Sequence, residues 1–447
     1  MTDLFAARSQ MAMSLGFHIL FAVVGIGMPL LMVIAEARWR RSGDPIDLEL
    51  ARRWSRGTAI LFAVGAVSGT VLSFELGLLW PGFMELAGPI IGMPFSLEGF
   101  AFFTEAIFLG IYLYGWDRIS PRAHLLAGII VAISGVVSGV FVVIANAWMN
   151  APTGFTLVDG RFTDLDPLAA MANSAAIQQV LHMTLASYAA TGLAVAGIHA
   201  FLLRRDPLNA FHRRALTIGL MVGAPAALLQ PLSGDISARN IAEHQPAKLA
   251  AMEALFTTQA GAPFLIGGLP DMESRSTHWG LEIPAGLSLL LHHDPKRVVT
   301  GLDSVPRADW PHVPTVHLAF QTMIALGSLM ALVALWALFK LFRGHDLAAD
   351  RRFLTLTALA APMGFIAIEA GWTVTEVGRQ PWIIYNVMRT SAAVTPMPGL
   401  AYTFVTFTAL YFFLGVVVAW LLYTQIIRSP HEREWHRVHV PRSGGTP

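Results

Sequence analysis

Nine apolar stretches restrict this chain to one kind of fold. They run approximately 12–36, 53–78, 92–114, 123–148, 174–203, 214–232, 312–342, 351–374 and 399–427. Each has the roughly 20 residues that a helix needs to cross the hydrocarbon of a bilayer. In that medium backbone amides must be satisfied within the segment itself or within a closed barrel. The first stretch is too long for a cleavable signal, follows only Arg8, and shows no small-x-small cleavage site. Composition agrees. The chain is 55% hydrophobic and 13% charged, against about 25% charged in an average soluble domain. The expectation is an all-α integral membrane protein, a bundle of nine transmembrane helices.

Lys and Arg collect on the cytoplasmic side of such helices. With the N-terminus outside, the inside loops hold 20 of the 30 Lys and Arg. They include Arg38, Arg40, Arg41, Arg52, Arg53 and Arg56 after the first span, and Arg428, Arg433, Arg437 and Arg442 in the tail. This places the N-terminus outside and the C-terminus in the cytoplasm. Three regions follow: 1–232 with helices one to six, an outer loop over 233–311, and 312–447 with helices seven to nine and a cytoplasmic tail. The loop is rich in Pro, Gly and charge, and Pro246 to Gln259 reads as a helical stretch. There is no tandem repeat.

The net charge of +1 gives no field for nucleic acid, and none is expected as a partner. With 0 cysteines, disulfides, thiolate metal sites, iron–sulfur clusters and covalent haem attachment are excluded. Metal chemistry must use His, Met or carboxylates.

Ionisable residues inside spans are costly, and each is a functional candidate. At 1.5 Å per residue, His18, Glu98, His182, Met323 and Glu376 fall in the outer half of the membrane, on five helices, with Glu376 just past the end of span eight. Each also has a plainer reading: a His that hydrogen-bonds between helices, a Met that fills apolar space, a Glu that reaches the headgroups. Their convergence at one depth, without cysteine, favours haem. Glu98 and Glu105 lie seven apart on one helix face, about 10.5 Å along the axis, and a buried carboxyl can relay protons. Glu369 and Glu376 repeat the spacing. His124, His199 and His317 look structural or interfacial, without an obvious partner. Lys248 and Glu253, five apart, read from composition alone as a solvated helix face.

Several motifs together resemble subunit I of the cytochrome bd-type quinol oxidases, over essentially the whole chain. They are Gly378-Arg-Gln-Pro-Trp382 after Glu369-Ala-Gly-Trp372 and Glu376, Glu98-Gly-Phe-Ala-Phe-Phe-Thr-Glu105 followed by Gly115-Trp-Asp-Arg118, Ala145-Asn-Ala-Trp-Met149, Lys248-Leu-Ala-Ala-Met-Glu253, and Arg8 ten residues before His18. The resemblance implies a catalytic subunit that oxidises membrane quinol at the outer face. It would reduce O₂ to water with cytoplasmic protons, building proton motive force without pumping. It implies His182 and Met323 as ligands of a low-spin haem b. His18, Glu98 and Glu376 would ligate a high-spin haem b and a haem d, or a further haem b in its place. Lys248 and Glu253 would contact quinol, Glu98 and Glu105 would deliver protons, Trp372 would stand between haems, and Arg379, Arg8 and Asn146 would surround them. A homologous second subunit, a small single-span subunit and the bacterial inner membrane are implied too. The outer loop resembles the short form, whose members include a cyanide-insensitive type. Gln321 stands where many relatives have Arg, and the segment Phe74 to Trp80 also departs from the usual pattern. A proton-coupled transporter, or a haem-binding member that is not a respiratory oxidase, are the alternatives.

Overall fold

The computed structural model describes residues 2–427. The tail beyond, with Arg428, Arg433, Arg437 and Arg442, lies outside the described residues. Among the described residues, nine helices are long and apolar enough to cross a membrane. They are α1 (Asp3–Ser42), α2 (Pro45–Leu79), α3 (Pro81–Tyr114), α4 (Pro121–Asn150), α5 (Ala176–Leu203), α6 (Ala210–His244), α8 (Val313–Phe342), the pair α9 (Arg351–Ala360) and α10 (Met363–Gly378), and α11 (Leu400–Leu422). A short helix, α7 (Pro246–Met252), follows α6.

The helices overshoot their apolar stretches because polar residues cap them. Thr2, Asp44, Ser120 and Asn209 each accept a backbone N–H of the following first turn. Pro45, Pro81 and Pro121 open their helices where no N–H partner is needed. Helix α6 also runs on at its C-terminus to His244, about three turns beyond the expected end of its apolar stretch, and the connection to α8 starts only at Gln245. Span eight breaks at Ala361 and Pro362, and its second half carries Glu376 inside its last turn, one register deeper than the sequence suggests.

The helical stretch expected over 246–259 stops at Met252. Ala254 takes a left-handed backbone, φ 51°, and Leu255 N–H folds back to Ala250 O at 2.8 Å. The rest of the loop includes three small antiparallel ladders, Gln259–Ala260 with Val298–Val299, Phe264–Ile266 with Leu281–Ile283 and Leu269–Asp271 with Ser276–His278. The stretch 247–256 is packed, not solvated. Leu249, Met252, Leu255 and Phe256 join Trp310, Val316, Phe320 and Val374 in one apolar cluster.

At one close helix crossing, α5 meets α6 through Gly192, Gly219 and Gly223. A Cβ on Gly192 would lie 2.4 Å from Gly223 N, and one on Gly219 would lie 2.8 Å from Ala196 N. Small residues four apart let backbones touch in this way where lipid supplies no hydrophobic drive. Gly192→Ala is expected to lower the thermal unfolding midpoint, at a cost of about 1–3 kcal/mol. Gly110→Ala, with nothing within 4 Å, should leave the midpoint unchanged or raise it.

Candidate functional site

The polar residues of the bundle are held from the side by neighbouring helices. His18 Nδ1 lies 3.0 Å from Ser68 Oγ. That hydroxyl already donates to Val64 O at 2.9 Å, so the His18 N–H donates to it and the Nε2 lone pair is left available. The same arrangement recurs on α5. His182 Nδ1 meets Ser233 Oγ at 2.9 Å, and Ser233 Oγ donates to Gln230 O. At Nε2 the Gln230 amide N–H donates from 3.1 Å, which again makes that nitrogen the acceptor. A ligand histidine has its outer nitrogen fixed in this manner. Met323, on α8, sets its thioether against Gly371, where a Cβ would stand 3.1 Å from the sulfur.

Trp372 is half-buried among Leu15, Ile19, Ala186 and Phe365. It thus lies between α1, which carries His18, and α5, which carries His182. Glu98 accepts from Ser138 Oγ at 3.4 Å. Glu105, deeper on α3 and 5% exposed, faces Gly135 of α4. Arg8 is exposed at the start of α1. Among the described residues no three His, Asp or Glu side chains gather as a free-ion cage.

The structure joins two groups that the sequence treats separately. Lys248 and Glu253 are buried, 3% and 5% exposed, so the solvated-face reading fails. Gly378 leaves room for the lysine stem, since a Cβ there would lie 2.9 Å from Lys248 Cγ. Lys248 Nζ donates to Asn150 Oδ1 at 2.5 Å. Asn150 Nδ2 donates to Asn146 O at 2.9 Å and Oδ1 at 3.1 Å. Asn146 Nδ2 donates to Glu376 Oε1, and Arg379 to Glu376 Oε2, each at 2.5 Å. Arg379 is 2% exposed, and its Nε and Nη1 are buried without a partner. Two unpaired buried guanidinium donors fit an anionic group such as a haem propionate. Sequence reading missed Asn150, Gln245, Gln230 and Ser233, none of which is ionisable.

Burial drives Lys248 well below the ordinary lysine value; the Arg379 charge adds to this and Glu376 opposes it. Burial alone lifts Glu253 to about 8, and its Oε2 has no hydrogen-bond partner. His124, His199 and His317 do find partners. His124 meets Glu36, His199 meets His212, and His317 bridges Met252 O and Gly267 O at 2.8 and 3.0 Å. Gln321 stitches the loop to α8 by accepting Gly267 N–H and donating to Leu265 O, both at 2.9 Å.

Asn150→Leu leaves Lys248 Nζ without its acceptor and Asn146 without its donor. Thermal unfolding should show a loss of about 1–3 kcal/mol, and Asn150→Asp, which keeps the acceptor, should lose less.

Comparison with known proteins gives one answer. Residues 6–430 match the family model described as cytochrome bd terminal oxidase subunit I. A Bacillus subtilis (strain 168) protein that carries the provisional name cytochrome bd menaquinol oxidase subunit I is 35% identical, over 97% of this chain and 99% of that protein. The cytochrome bd ubiquinol oxidase subunit 1 of the same strain is 29% identical, over 98% and 97%. A solved structure of bd oxidase from Geobacillus thermodenitrificans superposes with a TM-score of 0.90 at 39% identity, covering 96% of this chain and 99% of that one. The chain belongs to the cytochrome bd terminal oxidase subunit I family.

Proposed function

We propose that this chain is the haem-bearing catalytic subunit of a terminal quinol oxidase in a bacterial inner membrane. Its N-terminus would lie outside and its C-terminus in the cytoplasm. Family membership supports the quinol oxidase activity. The observation that carries the finer reading is the unbroken hydrogen-bond line from Lys248 through Asn150 and Asn146 to Glu376 and Arg379. It ties a buried acid–base pocket in the outer loop to a carboxylate and a half-satisfied arginine in the bundle.

In this reading Lys248 and Glu253 bind the quinol head group. His182 and Met323 hold a low-spin haem b, and His18, Glu98 and Glu376 hold the high-spin pair, a haem b with a haem d or a second haem b. Arg379 faces propionates, Asn146 orients Glu376, and Arg8 lies at the outer edge. Trp372 fills the space between cofactors. Bound haem would supply the one-electron and O₂ chemistry.

The chain's own residues manage protons and position. Glu253 keeps its proton up to about pH 8, so the form able to accept a quinol proton grows as pH rises. Lys248, its ammonium disfavoured by burial, can exchange a proton with the other quinol oxygen. Glu105 and Glu98, one above the other on α3, pass cytoplasmic protons outward. Proton release outside and uptake inside would separate charge without a pump. A homologous second subunit, and a small single-span one, would complete the assembly.

Purified wild-type oxidase should show haem absorbance and quinol-driven O₂ uptake. A colourless folded protein would overturn the reading. His182→Ala should lose the low-spin component while keeping the rest of the visible spectrum.

Quinol oxidation should speed up as pH rises through about 8. Glu253→Gln should be slower by about a hundredfold or more and lack that rise. The same shift makes folding stability fall as pH rises to about 8, because the unfolded carboxyl is already ionised there.

A further inference from the structure

One surface of the outer loop is apolar where a water-facing surface would be polar. In the ladder of Phe264–Ile266 with Leu281–Ile283, Phe264 pairs with Ile283, Leu265 with Glu282 and Ile266 with Leu281. Side chains alternate across a strand, so Phe264, Ile266, Leu281 and Ile283 share one face. The other face carries Glu282 and Leu265, which is buried in the cluster around Trp310. On the first face Ile266, Leu281 and Ile283 are exposed, Leu281 to 65%. Leu269, at the start of the next ladder, and Trp279, just after it, are exposed too, Trp279 to 86%. A contiguous apolar patch of this kind marks an interaction surface. The polar residues gather elsewhere, in the hairpin turn where Glu273, Ser274 and Arg275 are exposed.

The depth of that face follows from its clamp on α8. His317 Nε2 meets Gly267 O, and the Gln321 amide holds Gly267 N–H and Leu265 O. Helix α8 has 30 residues, about 45 Å at 1.5 Å each, whereas bilayer hydrocarbon is about 30 Å thick. Lys340 and Arg343 mark its far end. About 30 Å back from Lys340 lies Gln321, so the ladder is fastened where hydrocarbon gives way to headgroups. Leu318, between the two clamping residues in sequence, is exposed on α8. The apolar surface also continues away from the ladder. The helix Gly286–His292 packs on α6 and exposes Leu289 and Leu290, and α6 itself exposes Leu232 and Ile236. The loop face thus prolongs the lipid-facing surface of two spans. On its other side, His317 Nδ1 meets Met252 O at 2.8 Å. One imidazole therefore joins the turn of the ladder to the residue before Glu253.

We propose that this ladder is an interfacial membrane anchor. Ile266, Leu269, Trp279, Leu281 and Ile283 lie in the headgroup–acyl boundary of the outer leaflet, and the tail of a membrane quinol passes along them. The part that concerns quinol rests on the quinol oxidase reading. Trp suits this boundary because its ring is apolar and its N–H reaches water. The ladder pairs its own backbone groups, which lets it sit at the edge of a medium that offers them no partners. The turn with Glu273 and Arg275 stays in water. A quinol has a polar ring and an apolar tail. Its ring must leave the lipid to meet Lys248 and Glu253, while its tail gains nothing by following. A lipid-seated ladder clamped through His317 to the peptide before Glu253 sets the height of the pocket against the leaflet, so that ring and tail are both accommodated.

The 0 cysteines of the chain permit a direct reading of depth. In the complete oxidase in lipid nanodiscs, Ile266→Cys and Leu281→Cys each carry a nitroxide, with Glu273→Cys as the water-facing reference and the unsubstituted complex as background. Relaxation by O₂, which concentrates in lipid, is compared with relaxation by a water-soluble nickel chelate. At both ladder positions the ratio of O₂ to chelate effect is expected to be several-fold higher than at the reference. A ratio equal to the reference places the ladder in water and overturns the proposal. A label reached by neither reagent is covered by another protein, which overturns it as well. For the quinol part, Trp279→Ser combined with Leu281→Ser should raise the KM of a long-tailed quinol about tenfold and leave that of a tail-less analogue unchanged. An unchanged KM for the long-tailed quinol, or an equal rise for both, overturns the tail path. A wild-type protein that consumes no O₂ with quinol overturns the oxidase reading instead, while the nitroxide ratios still decide the anchor.

Discussion

A buried lysine needs an acceptor, and the arrangement of the end of the bundle that carries Lys248 follows from how that need is met. Lys248 has no carboxylate within its hydrogen-bonding shell. Its partner is the side-chain oxygen of Asn150, which also accepts from Gln245 Nε2 at 3.2 Å. One carboxamide at the end of α4 therefore anchors α7 to the bundle. Because its nitrogen donates to Asn146, the same group fixes the donor that holds Glu376. A neutral acceptor leaves the lysine free to lose its charge, whereas a carboxylate would have locked the ammonium form in place. The amide thus gives position without fixing protonation, which is what a proton-exchanging site requires.

The loop that carries Lys248 is ordered by the same economy of means. His317 and Gln321 lie one turn apart on α8, and between them they bind Met252 O, Gly267 O, Gly267 N–H and Leu265 O. Gln321 has both ends of its amide satisfied by loop backbone, which clamps the Phe264–Ile266 strand to α8. A cation there would offer donors only and could not accept the Gly267 N–H.

The membrane architecture was legible because it depends on the quantity that sequence reports best, the length of apolar runs. The helix ends were not, since caps such as Asp44 and Asn209 extend a helix into polar sequence. The end of α7 was hidden for a different reason. Nothing in Ala-Met-Glu-Ala-Leu-Phe signals a stop, but Leu255 and Phe256 are drawn into the cluster around Trp310, and the backbone turns left-handed at Ala254 to let them in. Candidate site residues could be picked out where they are ionisable and placed in apolar helices. His18, Glu98, Glu105, His182 and Glu376 stand out because burying them is costly. Their supports, Ser68, Ser138, Ser233, Asn146 and Asn150, are ordinary polar residues whose value lies in where they end up.

Glu36 shows the limit most clearly. In sequence it is the last residue of the first apolar stretch, just before Arg38, Arg40 and Arg41. In the fold it is fully buried, and its partner His124 is 88 residues away. Pattern alone could not pair them, because α1 and α4 are brought together by packing that spans two intervening helices. A buried ion pair of this kind is expensive when judged as a stabilising device, and an apolar pair of the same volume is often as stable. At the base of α1 that cost is offset by hydrogen bonds: Glu36 is met by His124 and Arg40 and has the Tyr112 hydroxyl beside it, and His124 spends its second nitrogen on Tyr112 O.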